Sequence, residues 1–226
     1  MGGARRAHSR RAKLCVSRSI QAFAMFDLFD DTPQSAPHPD VRWHPSWLAD
    51  DAAAEALTRI IAEADWRQER IRTPGGWVDQ PRLTAWQGDE GAVYVYSGIR
   101  NVPQPWSATV AELRDAISAL CGVRFNSVLL NRYRSGADSM GWHADHEPEL
   151  GPEPVIASLS LGATRRFDLR HNATGVVRSF RLTSGSLLVM QGMTQAQWRH
   201  RVPKEPAVCG ERVNLTFRIV TAGLRK

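Results

Sequence analysis

The chain is expected to be mainly β with flanking helices, its second half forming a β-sandwich or barrel. Two observations carry this. From Phe125 onward, short segments rich in Val, Leu, Ile and Phe follow one another without an intervening helical pattern: FNSVLLNRYR, PVIASLSLG, RRFDLRH, VVRSFRL, GSLLVMQG and RVNLTFRIV. Turn signals separate them, including SGAD, HNATG, TSGS and KEPAVCGE. The only strong helical patterns precede Gly122.

Taken in order, residues 1–24 are Arg-rich and contain no Asp or Glu. That composition overlaps with mitochondrial transit peptides. A disordered tail, or translation from Met25, is the plainer reading. Residues 31–40, DTPQSAPHPD, read as an extended lead-in. Residues 1–40 are therefore expected to be a basic, then Pro-rich, disordered segment ahead of a single domain over 41–226. Asp50 and Asp51 open a helix as its cap, with apolar positions at Ala53, Leu57, Ile60 and Ile61. Strands are expected near 66–72 and 82–86, around a segment that opens with TPGG and projects as a hairpin. AVYVYSG (92–98) alternates like a strand, and a second helix over about 106–121 stops at Gly122. No fixed-length repeat is visible.

The 226 residues suffice for one sizeable core, and 42 % hydrophobic with 23 % charged residues fits a water-soluble globular domain. No run of 18 apolar residues exists, so no membrane partner is expected. The net charge of +6 is local: six of the 29 basic residues lie in residues 1–24, which leaves 23 against 23 acidic ones. Any nucleic-acid patch must then be local too. Cys15, Cys121 and Cys209 form no CxxC, so a reducing compartment, the cytoplasm, is the simpler expectation.

The chemistry centres on NRYRSGADSMGWHADHE (131–147). In an extended segment, His143 and Asp145 point to one side. Two imidazoles and one carboxylate on one face of a ferrous iron leave the other face open. The second imidazole must come from far away in a chain of seven His, and His200 in QAQWRHRVPK is the candidate. Three ligands leave positions for exogenous groups, unlike a closed structural zinc site. In ERVNLTFRIV, Arg212, Asn214, Thr216 and Arg218 share one strand face, and Val213, Leu215, Phe217 and Ile219 share the core face. Two arginines buried on one face need anions, and guanidinium grips carboxylate bidentately, so a dicarboxylate suits. An internal ion pair would serve equally for one of them. Asn131 and Tyr133 share a second polar strand face able to hydrogen-bond a keto acid.

Together these residues resemble the AlkB family of iron(II)- and 2-oxoglutarate-dependent dioxygenases, in its nucleic-acid repair branch. The stretches that carry it are QPRLTAW (80–86), YVYSG (94–98), FNSVLLNRY (125–133), WHADHEP (142–148), IASLSLGATRRF (156–167), TQAQWRHRVPK (194–204) and RVNLTFR (212–218). The resemblance implies a double-stranded β-helix (jelly-roll) core over 123–222, with an N-terminal nucleotide-recognition lid and supporting helices over 41–122. It implies Fe(II) as the metal of His143, Asp145 and His200, with 2-oxoglutarate and O2 as cosubstrates. Asn131, Tyr133, Arg212, Asn214, Thr216 and Arg218 match the 2-oxoglutarate positions, with Arg212 and Tyr133 favoured for the distal carboxylate. Trp66, Tyr94 and Tyr96 match lid aromatics. Arg82, His146 and Glu147 join them as substrate contacts, although close relatives carry an acidic residue where this chain has His146.

The implied partner is alkylated DNA, with RNA as an alternative, and the chain is expected to be a monomer. The implied reaction hydroxylates an N-methyl group on a flipped or unpaired base and releases formaldehyde. The other readings are the same chemistry on tRNA or a non-nucleic substrate, and a catalytically silent nucleic-acid-binding module. Arg70, Arg72, Arg82, Arg134, Arg165 and Arg166 are the expected phosphate contacts. The hairpin tip Thr73-Pro74-Gly75-Gly76 lacks a large apolar wedge, which leans towards single-stranded substrates.

Overall fold

The computed structural model describes residues 36–73, 75–92, 94–96 and 99–221. The expectations for residues 1–35, for Pro74 at the hairpin tip and for the side chains of Tyr94 and Tyr96 lie outside them. The first half contains β1 (Val41–His44), α1 (Asp50–Glu63), β2 (Arg70–Thr73), β3 (Gly76–Asp79), β4 (Leu83–Gly88), β5 (Tyr94–Tyr96), β6 (Ile99–Asn101) and α2 (Ala108–Cys121). The second half runs β7 (Ser127–Tyr133), β8 (Met140–His143), β9 (Ile156–Gly162), β10 (Arg165–His171), β11 (Val177–Leu182), β12 (Leu187–Met190), the one-turn α3 (Thr194–Gln197), β13 (Trp198–Val202) and β14 (Arg212–Arg218).

Two antiparallel sheets face each other as a jelly roll. The major sheet has the order β1-β12-β9-β14-β7-β4, and the minor sheet β11-β10-β13-β8. All six apolar segments expected as strands are strands, and β1, β8 and β13 add three that the sequence did not announce. MGWH and WRHRV are short and mix His and Arg with Trp. They are strands because the neighbouring strands supply ladder partners, not because of intrinsic preference.

One face of the major sheet is covered by the helices. Ala53, Ala56 and Ile60 of α1 and Val110, Leu113 and Ile117 of α2 pack on Val128, Leu130, Leu159, Val213, Leu215 and Phe217. Those helical spacings bring one stripe of each helix to the sheet. The α1 cap departs from expectation. Ala49 holds the N-cap position with no side-chain hydrogen bond. Asp50 and Asp51 sit in the first turn instead, where their charge favours the helix dipole. α2 ends at Gly122 as expected, with φ 68°, a left-handed conformation that costs Gly little. Between the sheets lies a second cluster of Tyr133, Met140, Ile156, Phe167, Leu169, Phe180, Leu188, Met190, Trp198 and Val202.

The projecting hairpin also differs from expectation. β2 pairs with β3, Thr73 opposite Gly76 and Arg70 opposite Asp79. β4 pairs instead with β7 in the major sheet. The difference follows from burial: Ala85 and Trp86 of β4 are buried, whereas all of β3 is exposed, Trp77 included. Asp40 is tied to the core: its carbonyl accepts from the backbone N–H of Gln191 and the hydroxyl of Thr194.

Candidate metal centre and its surroundings

His143 and His200 are register partners across β8 and β13, with ring centroids 4.1 Å apart. A register shift between His200 and Val202 opens the β8–β13 ladder at this point. β8 ends at His143, so Asp145 is delivered by a loop, not by the extended strand the sequence suggested. That loop is fixed at two points. The backbone N–H of Asp145 donates to Gln195 Oε1 at 3.0 Å, and Asp145 Oδ2 accepts from Nη2 of Arg218 at 2.6 Å and from Nε at 3.2 Å. One donor atom each from His143, Asp145 and His200 lies within 4.8 Å of the others.

The protonation states suit a cation. Burial alone would raise the Asp145 carboxyl, but Arg218 with His200 and His143 outweighs it and holds it at about 2. Burial pulls His200 down to about 3 and pulls His143 down as well. At neutral pH the set is one carboxylate and two neutral imidazoles. Asp145 Oδ1 is buried without a hydrogen-bond partner. His143 Nδ1 lies 2.8 Å from the carbonyl of Gly141, which selects the tautomer that keeps the Nε2 lone pair for a metal. A buried bare carboxylate oxygen beside two imidazoles fits a divalent first-row metal.

A cavity between the sheets opens on this triad. Its walls include Asn131, Tyr133, Asn214, Thr216 and Arg218 from the major sheet and Met140, Phe167 and Met190 opposite. The register makes the polar patch continuous. Arg212 lies opposite Tyr133 and Asn214 opposite Asn131 on β7, while Asn214 and Thr216 lie opposite Ser160 and Ser158 on β9. Asn214 Nδ2 donates to Ser158 Oγ and to the carbonyl of Leu159.

Arg212 is fully buried. Its Nη2 donates to Ser160 Oγ at 2.9 Å, its guanidinium lies over the Tyr133 ring, and its Nε and Nη1 have no partner. Burial pulls its pKa down to about 10, against the opposing pull of the Tyr133 phenol, so the charge persists at neutral pH. A buried cation with two bare N–H groups fits a carboxylate ligand. Arg218 differs: its guanidinium engages Asp145, so the two arginines of the last strand serve different anions.

Several expected contacts lie elsewhere. Trp66 packs on the helix-side core, donates from Nε1 to the carbonyl of Ile61, and lies under Arg132. Arg82 is buried and donates to Asn131 Oδ1 at 2.7 Å, which makes it part of the cavity wall's support, not a surface phosphate contact. Arg165 is 1 % exposed and donates to the carbonyls of Ser135, Asp138 and Pro203 and to Glu205, so it clamps loops. Arg134 is paired with Asp138. Arg70, Arg72 and Arg166 are exposed. His146 is exposed and Glu147 half-buried beside the metal loop. Sequence reasoning missed Ser158, Ser160 and Gln195. The Ser-x-Ser alternation in IASLSLG was a usable signal for the first two; nothing local marks Gln195.

Residues 40–218 match the model of the 2OG-Fe(II) oxygenase superfamily. A solved structure titled "The structure of OsALKBH1" superposes with a TM-score of 0.56 at 19 % identity, covering 81 % of this chain and 99 % of that one, which supports the fold. Fold and donor set thus define an iron(II)- and 2-oxoglutarate-dependent oxygenase. The human "Alpha-ketoglutarate-dependent dioxygenase alkB homolog 3" is 44 % identical over 181 residues, 71 % of this chain and 63 % of that protein. The human "DNA oxidative demethylase ALKBH2" is 42 % identical over 158 residues (66 % and 60 %), and its Arabidopsis thaliana counterpart 41 % over 182 (69 % and 58 %). The chain belongs to the AlkB family of 2OG-Fe(II) dioxygenases. It spans less than two thirds of the length of these relatives.

Proposed function

We propose that the protein demethylates N-alkylated bases in DNA, of the 1-methyladenine and 3-methylcytosine type, converting 2-oxoglutarate and O2 to succinate and carbon dioxide and releasing formaldehyde. The observation that carries the reading is one cavity wall that holds both a bare-oxygen His–Asp–His set and a buried arginine with two unpartnered N–H groups. The names of its relatives, a DNA oxidative demethylase among them, support the substrate class.

His143, Asp145 and His200 would hold iron(II), and Arg212 with Tyr133 would hold the distal carboxylate of 2-oxoglutarate. Bound together there, iron(II), 2-oxoglutarate and O2 supply the oxidant that hydroxylates the N-methyl carbon. The protein's own share is positioning and exclusion of water. Arg218 keeps Asp145 ionised and aims Oδ1 into the cavity. Gln195 fixes the loop that carries it. Asn131 and Asn214, themselves held by Arg82 and Ser158, present neutral polar atoms to the cosubstrate, with Thr216 beside them. Met140, Phe167 and Met190 close the opposite wall with apolar atoms. The target base must leave its stack to arrive. Tyr94, Tyr96, His146 and Glu147 are the proposed contacts for it.

The test is a panel of methylated single- and double-stranded DNA and RNA oligonucleotides, read by formaldehyde and succinate. Release from methylated DNA at rates above those from RNA supports the reading. Succinate formation without formaldehyde from any oligonucleotide would move the substrate outside nucleic acids.

A further inference from the structure

The outer face of the minor sheet is built from arginine. Strand alternation puts His200 and Val202 of β13 inside and Arg199 and Arg201 outside. On β10 it puts Phe167 and Leu169 inside and Arg166, Asp168 and Arg170 outside. The register then sets arginine directly against arginine twice: Arg166 opposite Arg181 on β11, and Arg170 opposite Arg199 on β13. Like charges directly opposite each other destabilise a sheet, so the isolated protein carries an unfavourable arrangement here.

Two carboxylates offset it in part. Asp168 pairs with Arg166 at 3.2 Å and Arg201 at 2.8 Å, and Glu205 pairs with Arg181 at 2.6 Å. Glu205 also pairs with the buried Arg165. Among the described residues, the ion pairs of this face use only Asp168 and Glu205, and neither serves the Arg170–Arg199 pair. Five outward guanidinium groups thus meet two carboxylates.

The cations are also held in place. Trp142 of β8 takes Arg170 at 4.6 Å and Arg201 at 4.4 Å from its ring centroid. Stacking fixes the plane of each guanidinium and leaves its N–H edge outward. Arg166 and Arg170 are four residues apart on one strand, so the row extends roughly 13 Å. Trp142 adjoins His143, so the row runs on the back of the strands that carry the two imidazoles.

We propose that this face, formed by Arg166, Arg170, Arg181, Arg199 and Arg201 around Trp142, binds the phosphate backbone of the nucleic-acid strand that flanks the target base. The inference rests on the nucleic-acid reading above and adds a location to it. Guanidinium edges in a row suit phosphate oxygens, which they bind bidentately, and they carry no base readout. A strand laid here would reach the cavity mouth across the edge strand β8 at its His143 end.

The experiment compares two doubly substituted chains of equal net charge: Arg166→Glu with Arg199→Glu on this face, and Arg59→Glu with Arg124→Glu remote from it. Each is titrated against a short, labelled, unmethylated single-stranded DNA between about 50 and 200 mM salt. The expected result is a rise in Kd of about tenfold or more for the face variant alone. The slope of log K against log salt should also fall by about 2, one per lost phosphate contact. Cobalt(II) binding, as a stand-in for iron(II), should match the parent. The melting temperature should hold or rise, because Arg199→Glu sets a carboxylate opposite Arg170 in place of a like charge. Equal affinity and slope for parent and face variant overturn the assignment while the substrate class stands. A parent that fails to bind the DNA at low salt overturns both. Weakened capture of a polyglutamate peptide with DNA binding untouched would assign the face to an acidic protein and also overturn the proposal.

Discussion

Arg218 grips one oxygen of Asp145 and leaves the other bare. Nη2 and Nε both point at Oδ2, at 2.6 and 3.2 Å, while Oδ1 is buried with no hydrogen-bond donor. The guanidinium therefore orients the carboxylate as well as neutralising it. Arg218→Ala is expected to weaken iron(II) or cobalt(II) binding by about 10–100-fold, the usual effect of removing a group that orients a ligand. Anaerobic metal titration measures it; an unchanged dissociation constant would remove Arg218 from that role.

Arg212 predicts an inverted pattern of stability. Its charge is buried with two bare N–H groups, so Arg212→Met should leave the unliganded protein as stable as the parent, or more so by about 1–4 kcal/mol. The loss appears on adding 2-oxoglutarate. At about 100 times the parent's Kd, the parent gains about 2.7 kcal/mol and the variant little. Thermal melts with and without 2-oxoglutarate read both effects. Equal ligand-induced shifts in the two proteins would mean the carboxylate is held elsewhere.

Trp66 separates packing from recognition. It contacts the helix-side core and bonds the carbonyl of Ile61. Trp66→Ala should cost about 2–3 kcal/mol, the low end for a large aromatic because it is only partly buried. Turnover per folded molecule should be unchanged. A large drop in turnover at constant stability would restore a substrate role.

Glu205 governs acid sensitivity. Burial would raise its carboxyl, but the Arg166 backbone N–H and the side chains of Arg181 and Arg165 outweigh it, so it is lowered in the fold. A lowered carboxyl stabilises above its unfolded value of 4.5 and loses that contribution as pH falls through the folded value. Glu205→Gln should cost about 2 kcal/mol at pH 7, softened by the three carbonyls that still hold Arg165. The difference should shrink below pH 4.5. Urea melts at pH 7 and pH 3.5 test this, and a gap that widens in acid would contradict it.

Much of the site was legible because it alternates. Asn131 and Tyr133, and Arg212 to Arg218, announce a polar strand face by period-2 spacing alone. β14 shows why the reading worked: one face is uniformly apolar and packs on helices, so the other had to be the interior of the sandwich. Spacing could not say how the two arginines divide their work, since that depends on the loop that brings Asp145 to Arg218. Nor could it expose Arg165 as a clamp, because a buried arginine looks like a surface one until its carbonyl partners converge from Ser135, Asp138 and Pro203. β4 illustrates the opposite limit: its partner was set by burial of Ala85 and Trp86, not by proximity to the turn.

The position of β14 in the major sheet has a consequence for biosynthesis. It sits between β9 and β7, and it carries both the anion-seeking Arg212 and the Asp145-orienting Arg218. A nascent chain that has just produced His143 and Asp145 has a metal-binding loop with nothing to aim it. At about 5–20 residues per second, roughly 4–15 s of further translation separate the loop from residue 218. Through that interval β7 and β9 lack the strand that belongs between them, with their ladder edges open. The stage at which a chaperone matters most, and at which stray metal could bind loosely, lies in that interval.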